Sequence, residues 1–115
     1  MDNNIKCGDI FFVNFAPSVG HEFQGIRPAV VIQTDNQLTK TNLVTVMPLT
    51  SKIDKAHYND IFILKNGTNG LFGDSIIKTH NIESFDRSRF INKVGKIGDN
   101  DLLKIKEYLR IHFGI

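Results

Sequence analysis

At 115 residues the chain has room for one domain, and a hydrophobic fraction of 41% sets it among folded rather than disordered proteins. The formal net charge is +2 and the sequence pI about 8.8, a mild basicity that permits nucleic-acid binding without requiring it. A single cysteine, Cys7, excludes an internal disulfide and a cysteine-based metal site.

The N-terminal Met1-Asp2-Asn3-Asn4 lacks a signal-peptide pattern, and no apolar run approaches the roughly 20 residues that cross a bilayer. The expectation is a soluble cytoplasmic protein with one domain over residues 1–115.

Taken in chain order, Gly and Asn punctuate short apolar segments, a mostly β pattern. Cys7 reads as a small half-buried residue before the first strand. Ile10 to Phe15 is rich in β-branched and aromatic residues and predicts that strand. Ala16 to Gly25 predicts a long loop, a type of segment that often carries function. Ala29 to Thr34 is nearly continuously apolar and predicts a strand buried on both faces. Asp35 to Asn42 reads as polar loop. Leu43 to Met47 predicts a strand whose regular pairing Pro48 ends, because proline has no N–H. Asp60 to Leu64 predicts another strand, and Asn66-Gly67-Thr68-Asn69-Gly70 a turn. Ser75 to Ile82 and Lys93 to Ile97 read as strands, with a short helical turn between Ser84 and Phe90.

The C-terminus differs. Asp99-Asn100-Asp101 offers helix caps, and Leu102, Ile105, Leu109 and Phe113 recur at helical spacing as a core-facing stripe. Short strands plus one terminal helix predict a small curved antiparallel sheet or barrel with the helix packed on it.

Several chemistries are excluded. There is no Walker-type phosphate loop, no dinucleotide fingerprint and no Gly-x-Ser-x-Gly. The four histidines, His21, His57, His80 and His112, lack metal-binding spacing. What remains is a set of polar residues at strand ends. Arg27 lies between Gly25 and Pro28, where its planar fork of donors suits either a phosphate or a structural salt bridge. Spacing alone leaves those two readings even. Glu22 lies in the same loop, positioned to orient Arg27 or simply to be solvated. Thr50 and Ser51 follow the proline-broken strand, where a hydroxyl donates to a phosphate or caps a turn.

These segments resemble the MazF/PemK family of toxin endoribonucleases. The likeness begins at Gly8-Asp9-Ile10 and continues through Pro17-Ser18-Val19-Gly20-His21-Glu22. It is sharpest at Gly25-Ile26-Arg27-Pro28-Ala29-Val30-Val31-Ile32. It resumes at Pro48-Leu49-Thr50-Ser51-Lys52 and at Asp74-Ser75-Ile76-Ile77. Asp86-x-x-Arg89, Val94-Gly95-Lys96-Ile97 and the closing helix extend it.

The resemblance implies an SH3-like antiparallel barrel with a C-terminal helix, assembled as a homodimer. It implies cofactor-free, metal-independent cleavage of single-stranded RNA to a 2′,3′-cyclic phosphate and a 5′-hydroxyl. It also implies a cognate antitoxin whose flexible C-terminal segment covers the RNA groove, and no membrane partner. The family's arginine, threonine and loop glutamate fall on Arg27, Thr50 and Glu22. Further RNA contacts are expected from His21, Gln24, Ser51, Lys52, Lys78, His80 and Asn81.

In such a reaction the RNA 2′-hydroxyl is the nucleophile. The protein positions the chain and stabilises charge on the phosphorane. Arg27 is expected to hold that charge and protonate the leaving 5′-oxygen, and Thr50 to donate to a non-bridging oxygen. Glu22 and His21 are the open choices for general base.

One departure stands out. The family often carries Gln-Ile-Arg where this chain has Asn81-Ile82-Glu83, and a carboxylate near a phosphate path opposes binding. Two other readings share the fold: a gyrase-binding toxin related to CcdB, which Phe113-Gly114-Ile115 resembles, and a non-catalytic RNA-binding barrel.

Overall fold

The structure, a computed structural model, describes residues 4–17, 20 and 24–115. Seven strands run in order: β1 (Asp9–Asn14), β2 (Ile26–Val31), β3 (Leu43–Thr50), β4 (Ile61–Ile63), β5 (Ser75–Ile77), β6 (Glu83–Asp86) and β7 (Phe90–Lys96). One helical turn, α1 (Asp35–Leu38), follows β2, and the helix α2 (Asp99–Phe113) closes the chain. Every pairing is antiparallel, in the order β4-β5-β3-β2-β1-β7, with β6 also against β3. This is the expected small antiparallel barrel with a C-terminal helix.

β3 is the spine. Its first half, Leu43 to Val46, pairs with β6, and its last two residues, Leu49 and Thr50, pair with β5. Pro48 therefore does not end the strand, as its missing N–H had led one to expect. It sits at the changeover between β6 and β5, and its carbonyl accepts the N–H of Lys78 at 2.9 Å. On the opposite edge, β3 pairs with β2 from Val46 to Pro48. The Ile32 N–H donates to the Thr45 carbonyl at 3.0 Å. Antiparallel alternation then puts the next bonded rungs at Val30 with Met47 and at Pro28 with Leu49. Pro28 has no N–H to give, and the ladder stops at Ala29 with Pro48.

Both faces of this sheet are apolar. Alternation sends Phe11, Val13, Ala29, Val31, Val44 and Val46 into one core, and Ile10, Val30, Met47 and Leu49 into another. Leu38 of α1, Phe85 and Phe90 complete the first core; β4, β5 and α2 complete the second. The run Ala29 to Val31 is fully buried, as its unbroken hydrophobicity implies.

Several boundaries differ from the sequence reading. β2 begins at Ile26 rather than Ala29, so Arg27 and Pro28 lie inside the strand, held by pairing with Val13 and Phe12 of β1. The stretch Ser75 to Ile82 is split, because the chain turns at Lys78–Asn81 before entering β6. Asp35 opens a helical turn instead of a loop, since Thr34 Oγ1 accepts the Gln37 N–H. Gly98, not an Asp, caps α2, and Asp99 and Asp101 lie in the first turn where they favour the helix dipole. Ile105 and Tyr108 are the buried positions of α2, whereas Phe113 is 60% exposed. The last turn lies outside the core, and Gly114 ends it in the left-handed conformation.

The turn after β4 is pressed against β7. Lys96 N–H donates to the Thr68 carbonyl at 3.1 Å, and a Cβ on Gly95 would fall 2.5 Å from the Asn69 carbonyl carbon. Backbone cannot yield as a flexible side chain does. Gly95→Ala is expected to lower stability by about 2 kcal/mol in urea unfolding with an unchanged m-value. Gly73→Ala, whose Cβ meets nothing within 4 Å, serves as control and should shift stability by less than about 0.5 kcal/mol.

Candidate active site

Past Pro48 the two central strands part. Continued without a break, their register would set Arg27 opposite Thr50. Instead a groove of about 240 Å³ opens there, lined by Arg27 from β2 and by Thr50, Ser51 and Lys52 from the end of β3. Apolar residues from both strands and from β1 and β7 also line it, among them Phe12, Ile26, Pro28, Leu49 and Val94. The remaining wall is the segment Gly70-Leu71-Phe72-Gly73.

Among the described residues, Arg27 is held by its backbone pairing with β1 and by its Nε, which donates to the Gln24 carbonyl at 3.0 Å. That second bond orients the planar guanidinium, which suits it to fork onto a phosphate. Thr50 is buried, and its Oγ1 accepts the Lys52 N–H at 3.2 Å. The hydroxyl thus caps the turn as an acceptor and keeps its own O–H to donate. The two readings of Thr50, cap and donor, are compatible. Ser51 and Lys52 are exposed beside it.

Three expected RNA contacts do not join this groove. Lys78 is buried, with its Nζ 2.5 Å from Asp60 Oδ2 and 3.2 Å from the Lys55 carbonyl. Two of the three donors of its ammonium are thereby engaged inside the fold. His80 is exposed beside Tyr108 of α2, with ring centroids 5.4 Å apart, and His57 and His112 lie near it. Asn81 is half-buried in the turn after β5, its N–H on the Lys78 carbonyl. Glu83 also lies outside the groove lining, paired with Val46 in β6. Gln24 enters the site through its backbone. Glu22 and His21 lie outside the described residues.

Cys7 is half-buried, and burial pushes its thiol up, away from the thiolate form a nucleophile needs. Among the described residues, no group of three or more His, Cys, Asp or Glu is placed to hold a metal ion. The groove's apolar lining and Phe72 escaped the sequence reading. The one available signal was an aromatic residue set in a glycine-rich turn.

The family model of PemK-like, MazF-like toxins of type II toxin–antitoxin systems matches residues 6–113. The chain belongs to this family. It is 31% identical over 113 residues to Endoribonuclease EndoA of Bacillus subtilis (strain 168), covering 96% of each chain. It superimposes with a TM-score of 0.82 on MazF (Form-I) from Deinococcus radiodurans, at 25% identity, covering 96% of this chain and 97% of that one. A mycobacterial endoribonuclease solved in complex with its cognate antitoxin shares the fold with a TM-score of 0.75 at 16% identity, over 99% and 97% of the two chains. Among the described residues, no helix is long and apolar enough to cross a membrane.

Away from the groove, Asp60 holds the β5 turn in place. Burial raises its pKa, but hydrogen bonds from the Lys78 ammonium and from the N–H groups of His57 and Thr79 outweigh this and hold the carboxyl below its ordinary 3.8. A depressed folded pKa stabilises the fold above the unfolded value, and the stability is lost as pH falls through the folded one. Asp60→Asn leaves the Lys78 ammonium buried without its counter-charge. It is expected to cost about 3 kcal/mol at neutral pH and to flatten the acid limb of a plot of urea midpoint against pH.

Proposed function

We propose that this toxin cleaves single-stranded RNA from the groove between β2 and β3, without a metal ion. The coarse part of the reading, a type II toxin with endoribonuclease activity, follows from the family and from the relative 31% identical over nearly the whole chain. The observation that carries the finer part is the meeting of Arg27 and Thr50 in one groove just where their strands lose each other as partners.

The substrate supplies the nucleophile. Its 2′-hydroxyl loses a proton and attacks the adjacent phosphorus; the bond to the 5′-oxygen breaks, and that oxygen takes up a proton. A 2′,3′-cyclic phosphate and a 5′-hydroxyl result. Arg27, fixed by Gln24 and by β1, holds the charge that grows on the phosphorane and protonates the leaving oxygen. Thr50 donates its hydroxyl to a non-bridging oxygen. Glu22 or His21, from the loop that ends at Gln24, serves as base. Arginine does not, because a guanidinium cation has no lone pair with which to accept that proton.

Ser51 and Lys52 bind neighbouring phosphates. A longer RNA runs past the groove, where exposed His80 and half-buried Asn81 offer further polar contacts. Lys78, closed onto Asp60, has no part in this.

The partners are a cognate antitoxin that covers the groove and a second copy of the chain. The structural likeness to an endoribonuclease bound to its antitoxin supports the first. Exposed Phe62 on edge strand β4, and Ile111 and Phe113 on α2, offer apolar surface for the second. The RNA substrate places the protein in the cytoplasm.

Arg27→Ala and Thr50→Ala are each expected to slow cleavage of a long mixed-sequence RNA by about 10²–10³-fold while both proteins stay folded, Thr50→Ala with a somewhat lower urea midpoint because it also loses the turn cap. A folded Arg27→Ala protein that cuts at the normal rate sinks the assignment, and RNA binding without cleavage by the wild type would favour the non-catalytic barrel.

A further inference from the structure

Phe72 is 90% exposed, yet it lines the same groove as Arg27 and Thr50. The backbone on both sides of it is tied down. Buried Asn69 accepts the N–H groups of Asn66 and Leu71 at 3.0 and 3.1 Å on its Oδ1, and donates from Nδ2 to the Leu64 carbonyl at 2.8 Å. Beyond Phe72, Asp74 Oδ1 accepts the Lys65 N–H at 3.0 Å, and Ser75 Oγ donates to the Gly73 carbonyl at 3.0 Å. Leu71 packs against the second core. The ring therefore stands in water on a braced segment, next to the donors that hold phosphate.

Packing gives no reason for that placement, and RNA chemistry does. Every base has a π-face, and an exposed aromatic beside a cationic groove is a platform for one. Arg27 and Lys52 meet the backbone but do not grip the base. A ring at the rim completes the hold by binding a base that the backbone contacts leave ungripped.

The geometry points to Phe72 as the platform on which a base adjoining the scissile phosphate stacks, making it a positioning residue for cleavage. This rests on the ribonuclease reading. Phe72→Ala, at a fully exposed position, should fold normally and raise KM for a short RNA carrying one mapped cleavage site by roughly tenfold, with kcat little changed. Phe72→Trp should restore KM. The chain contains no tryptophan, so this variant carries a single indole at the site. Its fluorescence should change on titration with an uncleavable oligonucleotide that has a 2′-deoxy residue at the scissile position.

Replacing bases one at a time by abasic residues should abolish the Phe72→Ala penalty at one position only. A penalty undiminished at every position, an unchanged KM, or a silent indole while labelled oligonucleotide binds to saturation would each overturn the proposal. An unchanged KM would leave Phe72 to the general surface or to a protein partner. The two readings fail separately. A wild-type protein that cuts no RNA defeats the ribonuclease reading, whereas normal cleavage by Phe72→Ala alongside a dead Arg27→Ala defeats only this one.

Discussion

The site exists because β2 and β3 cannot remain paired. Pro28 occupies the rung at which β2 should next donate to β3, and it has no N–H. Pairing ends one residue earlier, at Ala29 with Pro48, and β3 is taken over by β5 on its other edge. The gap left behind is the groove. Arg27 and Thr50, which an unbroken ladder would have made cross-strand neighbours, become residues of a shared cleft. The same two prolines that disturb the ladder do little harm elsewhere. Pro28 keeps its place opposite Phe12 of β1, and Pro48 falls where β6 gives way to β5.

Such a gap needs a stiff surround. It has one because the central strands carry apolar side chains on both faces, so that the barrel is clamped between two cores. The wall formed by residues 70–73 is fixed separately, by the close approach of the preceding turn to β7 and by the buried Asn69 side chain. Charge is divided in the same way. Lys78 and Asp60 are shut together within the fold, whereas Arg27 and Lys52 line the groove, where we propose that they meet RNA. A catalyst that relies on placing donors, rather than on a covalent nucleophile, depends on this rigidity.

Much of this could be read from the sequence, and the failures have physical causes. The strands declared themselves through β-branched and aromatic runs, and α2 through its 3.6-residue period. The Gly-Ile-Arg-Pro segment and Thr50 carried the family likeness. Pro48 misled because a local rule about donors says nothing of which edge a strand uses. Phe113 misled because periodicity does not reveal that the last turn of α2 lies beyond the core. The expectation that Lys78 contacts RNA could not foresee its ion pair, since its partner Asp60 lies 18 residues away in sequence. Phe72 belongs to no periodic pattern and shows its place only once the turn is folded against β7.

We propose that the substrate's own 2′-hydroxyl does the cutting while Arg27 and Thr50 hold the phosphate. The chemistry of the new RNA ends tests it most directly. In excess EDTA the purified protein is expected to leave a 2′,3′-cyclic phosphate on one fragment and a 5′-hydroxyl on the other. A substrate with a single 2′-deoxy residue at the scissile position should remain intact. Cleavage of that deoxy substrate, or 5′-phosphate ends formed only when a divalent cation is added, would rule this mechanism out.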